Sequence, residues 1–220
     1  MTKLLTEDDC LVVSVGTSRV VGSQVAKIID GMRFITNSTF AAMGFCLPAA
    51  IGACVARNNR KTILVTGEGS LQMNIQELQT ISHHKYPLVI FVMNNQGYHS
   101  IRMTQNSFFQ DPLVGVGEDS GDLSFPDLKK IAYAYGLDFW RCTNSAEMKN
   151  CIKLALQNGG PCICEMMLSS KQVTEPKAAS KRLSNGQMFS APLEDMAPFL
   201  TEEELKANMY IPLIGEGVKE

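Results

Sequence analysis

Hydrophobic and polar positions fall into blocks along the chain. Short, nearly continuous apolar runs stand at 11–15 (LVVSV), 62–66 (TILVT), 88–93 (LVIFVM), 137–142 and 162–167 (CICEMM), with a weaker one at 33–36. Runs of this length read as strands buried on both faces. Between them lie stretches with helical spacing at 19–29, 47–56, 74–83, 126–135 and 145–157. The second of these is apolar and rich in Ala, and the fourth is closed by Gly136. This alternation predicts an α/β fold: a doubly wound, mostly parallel sheet with helices on both faces.

Two segments depart from the pattern. Residues 95–124 are polar and Gly-containing, and no element is assigned to them. From Ser169 the chain turns polar, with a turn signal at Ser184-Asn185-Gly186. Beyond it come Pro192, Pro198 and Pro212, together with Met188, Phe189, Leu193, Met196, Phe199 and Leu200. That is too apolar for a free linker. The expected organisation is one domain over 1–168 and an extended C-terminal tail over 169–220, packing on the domain or on a partner. No internal repeat is visible.

Composition narrows the function classes. Hydrophobic residues make up 45% and charged residues 19%, as in an ordinary globular domain with a filled core. A net charge of -2 provides no basic footprint for nucleic acid or an anionic membrane. The opening MTKLLTEDDC carries charges where a secretory leader needs an apolar core. The longest uncharged stretch, 34–56, holds polar residues and Pro48, so it reads as a turn and a helix instead of a membrane span. The seven cysteines include no C-x-x-C pair. They read as small core residues in a reducing, cytoplasmic compartment; the Cys162/Cys164 spacing would also suit a metal.

Open α/β sheets bind ligands beyond the carboxyl ends of their strands. Three predicted strand ends carry unusual chemistry: Gly16-Thr17-Ser18, Gly67-Glu68-Gly69-Ser70, and Asn94-Asn95-Gln96-Gly97-Tyr98. Gly67 and Gly69 let the backbone turn sharply close to a ligand. Ser70 and the amides of the following helix suit a phosphate. Glu68 would repel that anion unless a cation lies between them, and Mg2+ takes oxygens from carboxylate and phosphate together. Asn95 supplies an amide oxygen, and the Gly97 backbone carbonyl can face the same ion.

Gly67-Glu68-Gly69, residues 70–93, then Asn94-Asn95 resembles the GDG…NN signature of thiamine-diphosphate (ThDP) enzymes. AAMGFCLPAAIGA (41–53), GEGSLQMNIQEL (67–78), GYHSIR (97–102) and the SAPLEDMAPFL tail are similar to the acetolactate synthase-like group. The resemblance implies that Glu68, Asn95 and the Gly97 carbonyl hold Mg2+. It implies cofactor contacts from Gly16, Thr17, Gly67, Gly69, Ser70 and Tyr98. It further implies that the Ala41 carbonyl accepts from the cofactor's 4′-amino group and that Met43 wedges the cofactor into its bent form. Read without the flanking motifs, Met43 is also plain core filler.

The sequence departs from the family at three points. Glu68 stands where the family has Asp, moving the carboxylate out by one methylene. SIRMTQN lacks the Trp that often shapes the substrate pocket, and His99 and Ser100 replace smaller or apolar residues. His99 reads either as a substrate-facing proton donor or as a solvated loop residue. The third point is the Glu carboxylate that the family places on the cofactor's pyrimidine ring. The chain begins shortly before its first predicted strand, so this Glu is expected on a separate pyrimidine-binding chain, as in two-chain sulfopyruvate-type decarboxylases. The implied activity is decarboxylation or carboligation of a small 2-keto acid, by the chain with that partner, as a homo-oligomer, or both. A non-catalytic ThDP-binding domain, or a fragment of a longer ThDP enzyme, is the alternative. A nucleotide site at GEGS is disfavoured, since neither the Gly-rich dinucleotide fingerprint nor a P-loop Lys is present.

Overall fold

The computed structural model describes residues 1–109, 112–183 and 185–211. It divides into two compact units, Met1–Gln172 and a second beginning at Val173.

In the first unit the elements alternate. They are β1 (Cys10–Val13), α1 (Thr17–Val25), β2 (Arg33–Thr36), α2 (Cys46–Ala56), β3 (Thr62–Gly67), α3 (Glu68–Gln72), α4 (Glu77–His84), β4 (Leu88–Asn94), α5 (His99–Phe108), α6 (Leu128–Tyr135), β5 (Asp138–Cys142), α7 (Ser145–Gln157) and β6 (Cys162–Met167). The six strands form one sheet in the order β2-β1-β3-β4-β6-β5, and every pairing is parallel. The doubly wound expectation is met.

The continuous apolar strands are explained by two cores, one on each face. Along β1, Cys10 and Val12 join one core, and Leu11 and Val13 the other. In β4, Leu88, Ile90 and Val92 face the first and Val89 and Phe91 the second. Helices α2, α4 and α6 cover the first core, and α7 covers the second. A strand buried on both faces has no polar side to alternate with, which is why its sequence reads as a run.

Helix ends follow local chemistry. The Asp127 side chain caps α6 by accepting from the Lys129 amide at 2.8 Å, and Gly136 closes it in the left-handed conformation. Asn144 caps α7, accepting from the Glu147 amide at 3.1 Å. Other boundaries differ from expectation. α1 runs over 17–25 because Ala26 turns extended. α4 starts at Glu77, after a tight turn in which the Asn74 carbonyl accepts the Glu77 amide at 3.0 Å. The largest difference is α5, inside the segment to which no element was assigned. Its buried residues are His99 and Arg102, so it has no apolar stripe to reveal it.

All seven cysteines are free thiols and buried. Burial pushes Cys162 and Cys164 up to about 12, which keeps them protonated. Among the described residues no group of three or more His, Cys, Asp or Glu could hold a metal, and no helix is long and apolar enough to cross a membrane.

In the second unit, β7 (Ser180–Arg182) and β8 (Met188–Ser190) pair antiparallel. A bridge joins Lys177 to Ala197, and α8 spans Glu202–Asn208. The unit is therefore partly ordered into a hairpin and a helix. Ser184 of the expected turn and Pro212 lie outside the described residues.

Candidate functional site

The chain passes from β1 outward to β2, then crosses back over β1 to β3. This reversal opens a crevice at the carboxyl ends of β1 and β3, the place where such sheets take ligands. β4 pairs with β3 to its last residue, with Gly67 opposite Met93, so the three predicted strand tips end side by side.

Ser70 ties the tips together. Its hydroxyl lies 2.9 Å from the Ser14 hydroxyl at the end of β1 and accepts the Gly44 amide at 3.0 Å. The Gly44 carbonyl accepts from Asn74 Nδ2 at 2.9 Å. The turn holding Ala41 and Met43 is thereby pinned through both sides of Gly44, to Ser70 of α3 and to Asn74 just beyond it. Ala41 has φ of 49°, a left-handed backbone unusual for a residue with a side chain. Met43 is 42% exposed, so it is not core filler within this chain.

Glu68 is buried at 3% exposure. Its Oε1 accepts the Gly97 amide at 2.7 Å, which brings the β3 and β4 tips into contact through a carboxylate. Burial pushes the Glu68 carboxyl up, opposed by backbone N–H groups of Glu68 itself, Gly97 and Asn95 and by the Arg102 charge. Beside it Asn95 is 8% exposed, and its Oδ1 meets no hydrogen-bond partner among the described residues. A buried amide oxygen left so calls for an explanation, and a cation is one. A buried carboxylate and, beside it, an amide oxygen without a partner among the described residues are oxygen donors that fit a hard divalent ion.

Around this pair the glycines mark close approach. A Cβ on Gly69 would lie 2.3 Å from the Tyr98 ring, so Tyr98 packs closely against the start of α3. Gly16 has φ of 65° and faces the Ser100 hydroxyl. Thr17 opens α1 with its Oγ1 buried and without a partner among the described residues.

His99 is 7% exposed at the first turn of α5. The reading as a solvated loop residue is corrected: the unforeseen helix carries the ring inward.

Three contributors went unnoticed in the sequence. Ser14 and Asn74 hold the loops together, and Arg102 is 4% exposed beneath the Gln96–Gly97 turn. The polar Ser14 within an apolar strand was the one available signal. Nothing local distinguishes Arg102.

Residues 14–166 match the family described as thiamine pyrophosphate enzyme, C-terminal TPP binding domain. The chain is 32% identical to the acetolactate synthase large subunit of Cyanidium caldarium over 175 residues, which is 80% of this chain and 29% of the relative. It is 31% identical to that of Porphyra purpurea, over 86% of this chain and 31% of the relative. Identity to the acetolactate synthase isozyme 2 large subunit of Escherichia coli is 31%, over 76% of this chain and 30% of the relative. The chain thus spans under a third of the length of these curated relatives.

Proposed function

We propose that this chain, which belongs to the thiamine pyrophosphate enzymes through their C-terminal TPP-binding domain, holds the diphosphate of ThDP through Mg2+. Glu68, Asn95 and the Gly97 carbonyl are the ion's protein ligands. Gly16, Thr17, Gly67, Gly69, Ser70 and Tyr98 line the diphosphate side. Ala41 and Met43 meet the rest of the cofactor, and His99 contacts the substrate. The observation that carries the reading is the buried pair at adjacent strand tips: Glu68 raised by burial beside an Asn95 Oδ1 that has no partner among the described residues.

Bound ThDP supplies an electron sink for breaking or making a bond beside a 2-keto acid carbonyl. This chain's residues contribute position and electrostatics. Glu68 offsets the ion's charge, Ser70 fixes the spacing of the loops, and the Tyr98 ring on Gly69 keeps water from that side of the loop. The domain is taken as 1–168, with 169–220 as a tail packing on it or on a partner. The activating Glu is assigned to a separate pyrimidine-binding chain, the substrate is a small 2-keto acid, and the reaction is a lyase or transferase step of the acetolactate synthase type. The exposed Phe40, Met43, Phe45 and Val55 support self-association or partner binding there. Seven buried free thiols support a cytoplasmic location.

The test is calorimetric titration of the chain with ThDP in Mg2+ and again in a chelator. Binding is expected with the metal and lost without it. Glu68→Ala abolishes it while the protein stays folded. Binding by Glu68→Ala at wild-type affinity would remove the metal assignment.

A further inference from the structure

We infer that Arg102 and Asp119 clamp the Gln96–Gly97 turn in the geometry that ion binding needs, which makes Arg102 a positioning residue of the proposed ThDP site. The inference rests on the metal reading of Glu68 and Asn95.

The turn is not one the local sequence favours. Gln96 has φ of 61°, a left-handed conformation that disfavours a residue with a side chain. Something outside the turn must hold it. Arg102 is 4% exposed. Its Nε donates to Asp119 Oδ2 at 2.6 Å and its Nη2 to Asp119 Oδ1 at 3.0 Å, the two-toothed arrangement that fixes a guanidinium in direction as well as position. The same Nη2 donates to the Gln96 carbonyl at 3.0 Å.

Asp119 brings a segment of backbone with it. The Tyr98 amide donates to the Val116 carbonyl at 2.7 Å, and Gly97 and Gly117 form an antiparallel bridge. A Cβ on Gly97 would lie 2.2 Å from the Val116 carbonyl, and one on Gly117 would lie 2.1 Å from that of Gln96. Two glycines therefore permit the two backbones to touch. The far end of the segment is held by Gln105, whose amide exchanges hydrogen bonds of 2.8 and 2.9 Å with Val114. On its other side the turn delivers the Gly97 amide to Glu68. The clamp, the turn and the proposed ligands form one connected path, and a lysine at 102 would keep its charge while losing the fork.

Arg102→Lys and Asp119→Asn, made in the full chain, test this by two measurements. The first is calorimetric affinity for ThDP at fixed Mg2+. Each variant is expected to bind about 10–100-fold more weakly, with the loss recovered as Mg2+ is raised. Merely structural damage would not be recovered by metal. The second is amide exchange of the ion-free protein, where Tyr98 and Glu118 exchange faster while β3 and β4 stay protected. If Arg102→Lys fails to fold, Asp119→Asn, on a half-exposed loop, carries both measurements. Unchanged ThDP affinity, or a loss that Mg2+ does not restore, overturns the inference. Absence of Mg2+-dependent binding in the unmodified chain overturns the metal reading itself, and the positioning role with it.

Discussion

Two buried carboxylates stand in neighbouring parts of the sheet, and their surroundings differ. Glu165, on β6, is 1% exposed. Its Oε1 accepts from Asn94 Nδ2 at 2.6 Å, and its Oε2 accepts from Arg141 Nε at 2.5 Å. Arg141 in turn reaches Asp127. Every oxygen has a donor, and a cation balances the charge. Glu68, at the tip of β3, is nearly as buried, yet its hydrogen bond in the structure comes from a backbone amide, with the Arg102 fork turned to Asp119. A buried charge without a paired cation is costly, so a fold that keeps one at a ligand crevice points to use. The two are linked. Asn94, held by Glu165, accepts the Gln96 amide at 3.0 Å, so the paired carboxylate steadies the turn that the unpaired one touches.

The contrast can be broken first at Glu165. Arg141→Ala leaves that carboxylate buried without its cation. The expected loss is about 3 kcal/mol in urea denaturation, the low end of the range for a broken buried pair because solvent screens the half-exposed Arg141. A loss under half of that would mean that Glu165 does not depend on Arg141 in the folded protein.

Glu68 should behave in the opposite sense. Its folded-state carboxyl sits above the ordinary value of 4.5 because burial disfavours the charge. The folded protein therefore holds that proton more tightly than the unfolded chain. Stability from this group is fully present below 4.5 and is lost as pH rises through the folded value. In metal-free buffer, Glu68→Gln is expected to be more stable than the parent at neutral pH, by less than the Arg141→Ala effect. The difference should vanish as pH falls toward 4.5. A parent and variant with parallel pH profiles would show that Glu68 is as satisfied as Glu165.

The smallest effect is expected from Glu68→Asp. Shortening the side chain by one methylene keeps the charge and the oxygen donors, so Mg2+-dependent ThDP affinity should be retained or modestly improved. Calorimetry that showed no binding by this variant would mean that the longer reach is required.

The sheet was legible because its physics is local and repetitive. Strands buried on both faces are apolar at most positions, so β1, β3, β4 and β6 appear as runs even with Glu165 inside β6, and Gly136 marks a helix end by its own cap. GEG and NN stand out in the sequence because glycine, carboxylate and amide meet at the ends of core strands, where open α/β sheets take ligands. α5 was not legible, since its buried residues are a histidine and an arginine. The pinning of the 41–44 turn by Ser70 and Asn74 was equally hidden, because partners 26 and 30 positions apart leave no periodic trace.

Burial and hydrogen-bonding capacity are properties that each residue carries along the chain, and they determined the α/β layering and nominated Glu68 and Asn95. Which carboxylate has a cation depends on who stands opposite in space. Only the folded sheet decided that Glu165 meets Arg141 while Glu68 meets a backbone amide, and that Gln96 is held left-handed by a guanidinium from the next helix. A hydrogen-bonded pair needs its donor and acceptor within about 3 Å of each other, and the chain order does not specify which distant groups come that close.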